Sequence, residues 1–196
     1  MNASQRLRVF IAIALALIGS SACASRSEPD QPPSRYGLGH AANQDEIVVI
    51  AQSVLPDGEG LPAGRGTAAR GAPLFAQRCA GCHGPAGEGT ALGPKLIGRD
   101  PRIGFPFATD PNAVKTIGNY WPYATTVYDY VRRAMPLSAP GSLRPDEIYA
   151  LTAFLLAKNE VIPDSMVIDA ETLPAVRMPA RDRFVLDDRR GGHVIR

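Results

Sequence analysis

Cys79-Ala80-Gly81-Cys82-His83 constrains this chain more than any other stretch of it. In C-x-x-C-H, two thiols three residues apart can form thioethers with the two vinyl groups on one edge of a porphyrin. The imidazole that follows immediately then lies under the iron and becomes an axial ligand. One pentapeptide therefore encodes both covalent attachment and ligation of a haem. Since the motif occurs once, one haem is expected.

The same cysteine spacing also serves thioredoxin-like redox sites and one half of a zinc site. Zinc would need a second pair of ligands, and the only other cysteine is Cys23. A thioredoxin motif needs a βαβ setting, whereas this one closes a short helix and opens a glycine-rich loop. Cys23 itself belongs to what reads as an export signal. Arg6 and Arg8 form a basic start, and Val9 to Ile18 form an apolar run too short for a stable membrane anchor. Two cleavage readings compete. Ala22-Cys23-Ala24 fits an ordinary signal peptidase, giving a signal over residues 1–24, and Ser20-Ser21-Ala22-Cys23 fits a weak lipoprotein box cleaved before Cys23. A periplasmic protein is expected on either reading, held at a membrane only if Cys23 is lipidated. No thiol then remains for a disulfide or for thiolate ligation of the iron.

Loss of residues 1–23 removes two arginines and no acid, leaving nineteen charges of each sign. A balanced charge gives no sign of a nucleic-acid partner, and none is expected. Distribution says more than the sum. Between Lys95 and Arg144, seven basic residues face only Asp100, Asp110 and Asp129. Such a local excess beside a haem edge can steer docking onto an acidic partner, or it can be an ordinary solvated surface.

With 18 prolines and 19 glycines, the chain has room for only a few short helices. Residues 25–66 read as a linker and N-terminal arm, with one β-branched run at Ile47 to Ile50, a strand or a packed arm, before the turns of Pro56 to Gly60. Thr67 to Cys79 predicts a helix with Thr67 as N-cap. Ala124 to Ala134 predicts a second, with Val127, Tyr130, Val131 and Ala134 on its apolar face and Pro136 ending it. Pro145 to Lys158 predicts a third, since Pro145 suits the first helical position and Asp146 and Glu147 suit the dipole; Ile148, Leu151, Thr152 and Leu155 form its stripe. The haem domain spans 67–160, and 161–196 reads as an irregular extension wrapping it.

Candidates for the sixth iron ligand are Met135, Met166 and Met178, with His40 and His193 as outsiders. Met135 stands out because Pro136 fixes the chain just where a helix ends, which lets the thioether project from a rigid loop. Trp121 and Tyr123 can hydrogen-bond the haem propionates or pack as ordinary aromatics. Arg132 or Arg133 can neutralise a propionate or sit at a solvated helix end.

Gly71 and Phe75 before the haem motif, Gly93-Pro94-x-Leu96 after it, the Met135-Pro136 loop and the last amphipathic helix together resemble class I cytochrome c. The resemblance implies a mainly α fold in which the first and last helices cross, bringing Gly71 and Phe75 against Leu151 and Phe154. It also implies that the Pro94 carbonyl accepts the Nδ1 hydrogen of His83. A closer resemblance runs from Gly37 to Phe184. Asp57-Gly58-x-Gly60-Leu61-Pro62, Trp121 to Thr126, Asp129 to Pro136 and Leu173 to Pro179 are similar to the cytochrome subunits of molybdenum-containing sulfite or sulfane dehydrogenases of the bacterial sulfur-oxidising (Sox) system. That implies a non-catalytic electron carrier. It would accept electrons from a molybdenum-cofactor subunit and pass them to a downstream cytochrome or oxidase. A free periplasmic shuttle to a terminal oxidase, and an open-haem peroxidase or sensor, are the alternatives.

Overall fold

Four elements meet on one helix. The computed structural model of the chain describes residues 39–50, 53–107 and 109–185, so the segment expected to be an export signal, both candidate cleavage sites, Cys23 and His193 lie outside the described residues. The chain divides at Asn43 into two units. Of the first, residues 39–43 are described, an exposed segment with a bend at Gly39. The second unit opens with α1 (Gln44–Ile50), which corrects the strand or arm expected at Ile47 to Ile50. Asp45 and Glu46 in the first turn favour a helix start over the β-branched preference that follows.

Next come β1 (Arg65–Thr67), α2 (Ala68–Arg78) and a single turn, α3 (Ala80–His83), which carries the haem motif. Thr67 caps α2 by accepting from the Arg70 amide at 3.4 Å. Pro73 sits within this helix, near enough to its start to be tolerated. After a long loop come α4 (Ala124–Ala134), α5 (Pro145–Lys158) and β2 (Val167–Asp169), then a 3-10 turn at Arg181–Arg183. At the start of α5, Glu147 reaches back to accept from the Arg144 amide at 2.8 Å.

Helix α5 is the centre of the unit, touched by α2, α4, β1 and β2. The stripe expected on it is therefore too narrow, because every residue from Ile148 to Ala157 is buried. Against α2 the crossing is close enough that a Cβ on Gly71 would lie 2.0 Å from the Ala150 carbonyl oxygen. Only glycine fits there. Phe75 and Phe154 pack beside it with tilted rings, centroids 5.0 Å apart.

The extension after Val161 is not wholly irregular. β2 pairs antiparallel with β1, with Gly66 opposite Ile168, and Ile162, Ile168, Leu173 and Met178 enter the same core as α5. From the other side the arm is pinned by polar contacts. The Val54 amide donates to the buried Asp129 at 2.9 Å, the Arg65 amide to Asp146 at 2.8 Å, and the Tyr149 hydroxyl to the Pro62 carbonyl at 2.8 Å. Arm and extension thus supply the surfaces that bury the outer side of α5. No helix among the described residues is long and apolar enough to cross a membrane.

Candidate haem site

The end of α2 and the turn of α3 place Cys79, Cys82 and His83 along one wall of a cavity of about 500 Å³. That volume lies within the roughly 300–1,000 Å³ of sites for organic ligands. Phe75, Leu96, Leu151 and Leu155 make its floor apolar, and Val131, Met135 and Leu143 line it from α4 and the loop after it. Two thiols, an imidazole and a thioether around an apolar slot fit a haem fixed through both cysteines. Among the described residues no group of three or more histidine, cysteine or carboxylate side chains could hold a bare metal ion.

His83 is held by its backbone and its ring. Its amide donates to the Cys79 carbonyl at 2.9 Å, and Nδ1 lies 2.8 Å from the Pro94 carbonyl oxygen. A carbonyl can only accept, so Nδ1 carries the hydrogen and Nε2 keeps its lone pair for iron. The loop that brings Pro94 back is closed by the Gly89 amide on the His83 carbonyl at 2.7 Å and the Thr90 hydroxyl on the Cys82 carbonyl at 2.5 Å. Gly93 passes so near that a Cβ on it would lie 3.0 Å from His83 Nδ1.

Burial, and to a smaller extent the neighbouring Cys82, pushes the Cys79 thiol up to about 11. Reactive C-x-x-C thiols in disulfide chemistry are shifted the other way. Cys79 is thus poorly suited to thiol redox work.

Of the methionines among the described residues, Met135 alone lines the cavity. Its amide still bonds the Val131 carbonyl at 3.2 Å, so the last turn of α4 sets where the side chain begins. Met178 is buried in the core and Met166 packs on it. Trp121 and Tyr123 are not brought into this cavity. Trp121 donates its indole N–H to the Thr126 hydroxyl at 2.8 Å, and the Tyr123 ring lies 3.9 Å under the Arg181 guanidinium. Nor do Arg132 and Arg133 line it, and Arg133 pairs with Asp129 one turn back.

Several residues at the cavity escaped the sequence reading, Arg78, Tyr130 and Leu143 among them. Arg78, immediately before Cys79, lines the slot, and its position next to the motif was the available signal. Tyr130 lines it too, which corrects its place on the core face of α4. That face is made by Val127, Tyr128 and Val131 instead, with Tyr128 fully buried.

The cytochrome c family profile matches residues 68–158. Among solved structures, the sulfane dehydrogenase SoxCD from Paracoccus pantotrophus is 45% identical, over 79% of this chain and 73% of that chain, with a TM-score of 0.66. The thiosulfate dehydrogenase TsdBA from Marichromatium purpuratum is 25% identical over 50% of this chain and 20% of that one, with a TM-score of 0.35, too slight a likeness to bear on function. No curated protein sequence matches significantly. The chain belongs to the class I c-type cytochromes, electron carriers whose haem is covalently bound, and Cys79 and Cys82 stand at the spacing of that attachment. Within that class it is of the kind represented by the cytochrome subunit of SoxCD.

Proposed function

We propose that this protein is the periplasmic, non-catalytic electron-accepting subunit of a dehydrogenase whose molybdenum-cofactor partner oxidises sulfite or sulfane sulfur, and that a downstream cytochrome or oxidase drains it. The observation that carries the reading is the extent of the likeness to SoxCD, which covers 79% of the chain and so reaches well beyond residues 68–158. It takes in arm or extension, elements that a free shuttle does not need.

When bound, the haem supplies a one-electron Fe(III)/Fe(II) couple. Cys79 and Cys82 would fix it in place, and Pro94 holds the Nδ1 side of His83, which leaves Nε2 free to bind iron. Met135, on the cavity wall, would offer iron a soft thioether, which would favour the reduced metal. Phe75, Leu96, Leu151 and Leu155 exclude water, which disfavours the extra positive charge of the oxidised form.

Affinity capture of the full haem-loaded chain from its own periplasm tests the partnership. The expected result is a retained protein that contains molybdenum and reduces the haem when sulfite or thiosulfate is added. A chain recovered without a molybdenum protein, and a haem left oxidised by both substrates, would defeat the subunit reading.

A further inference from the structure

Behind the wall of the haem cavity lies a second, mostly apolar groove of about 490 Å³. Pro94 and Leu96 line both spaces, so a single stretch of chain separates them. Trp121 forms part of the groove and stands edge-on to Tyr130, a cavity residue, with ring centroids 5.8 Å apart. An aromatic contact thus spans the wall between the groove and the haem slot.

The rim of the groove carries Lys95 and Lys115, and no carboxylate lines it. Of the seven basic residues between Lys95 and Arg144, four are spent on fixed acceptors within the fold. Arg102 pairs with Glu160, Arg133 with Asp129 and Arg144 with Glu147, while Arg99 donates to the Glu160 carbonyl. Arg132 reaches the Gly60 carbonyl at 3.5 Å. Lys95 and Lys115 have no hydrogen bond or ion pair among the described residues, and Lys115 has only the face of Tyr120, 5.1 Å away. Exposed Val114 and Phe184 extend the apolar surface beside them.

An apolar centre with cations at its edge, lying against the wall of a redox site, is the layout of a charge-steered docking face. We propose that this groove is where the electron-donating dehydrogenase subunit docks, through a surface with an apolar centre and carboxylates placed to meet Lys95 and Lys115. The inference rests on the subunit reading above and adds where the partner sits.

The test uses the full haem-loaded chain carrying Lys95→Glu and Lys115→Glu, compared with Arg65→Glu and Arg70→Glu, which make the same change in net charge away from both spaces. Reduced protein is mixed with ferricyanide, which removes one electron from the haem and becomes ferrocyanide. At low ionic strength the groove variant should react about ten-fold more slowly than the control, with the gap closing at high salt as charges are screened. An unaltered haem absorption spectrum shows that the fold is intact, and Lys95→Gln with Lys115→Gln serves if it is not. In the same variants, retention of the molybdenum protein should be lost for the groove pair and kept for the control. Equal ferricyanide rates in the two variants, or retention by the groove variant equal to wild type, would overturn the docking face. Failure of wild type itself to retain a molybdenum protein would instead overturn the subunit reading on which it rests.

Discussion

At the scale of single residues, the contacts around His83 decide what the site can do. The Pro94 carbonyl fixes its tautomer, and Gly93 leaves room for the ring. Gly93→Ala would set a methyl 2.9 Å from the Cys82 carbonyl oxygen and 3.0 Å from Nδ1, forcing the ring or the loop to shift. The expected result is a lower yield of covalently loaded protein and a displaced reduction potential, read by haem stain and by redox titration. An unchanged potential at full loading would show that the loop yields at no expense to the ligand. That Cys79, Cys82, His83 and Met135 gather at one cavity was legible because each stands in a short local pattern. The partner of the Trp121 indole was not, since a donor group announces that it needs a partner without saying which; Thr126, five residues away, takes the indole hydrogen.

At the scale of elements, the helices were readable where their ends carry chemistry. Pro145, Asp146 and Glu147 begin α5, and Thr67 caps α2. What holds the loop after Pro94 was hidden, because it depends on a residue far along the chain. Asn159, at the end of α5 and almost wholly buried, accepts from the Gly98 amide at 2.9 Å and donates to the Leu96 carbonyl at 3.2 Å and the Leu155 carbonyl at 2.8 Å. Asn159→Leu orphans these groups at about 1–3 kcal/mol each, and should lower the urea midpoint while loosening the Pro94 loop; an unmoved midpoint would contradict that role. β1 and β2 are three residues each, too short for an alternating pattern to show. The backbone of Thr172 foremost, then its hydroxyl and the Glu171 amide, hold the Asp169 carboxyl below the ordinary range at the end of β2. Its folded value lies below an unfolded value of about 3.9, so the stability it contributes is present above that and is lost as pH falls through the folded value. In acid titrations followed by circular dichroism, Asp169→Asn should lose less stability between pH 5 and 2 than wild type. An equal loss would contradict this assignment.

At the scale of the molecule, the arm and the extension are part of the core that frames the haem cavity. A chain ending at Glu160 would lose Ile162, Ile168, Leu173 and Met178, each worth about 1.5–3 kcal/mol of burial. Such a truncation should fail to fold cooperatively, and a sharp thermal transition near that of the full chain would contradict it. A uniformly buried α5 depends on these distant segments, which is why its outer side could not be read from its own sequence. The carrier assignment turns on Met135, because a haem with a vacant iron position would be an open site for ligands rather than a simple carrier. The most direct measurement is the near-infrared methionine-to-iron band of the oxidised protein, taken with carbon monoxide binding to the reduced form. The band should be present and carbon monoxide should bind negligibly in wild type, and Met135→Ala should abolish the band, admit carbon monoxide and lower the potential within the roughly 0.8 V that axial ligands command. A wild-type protein without the band that binds carbon monoxide rapidly would contradict the carrier assignment.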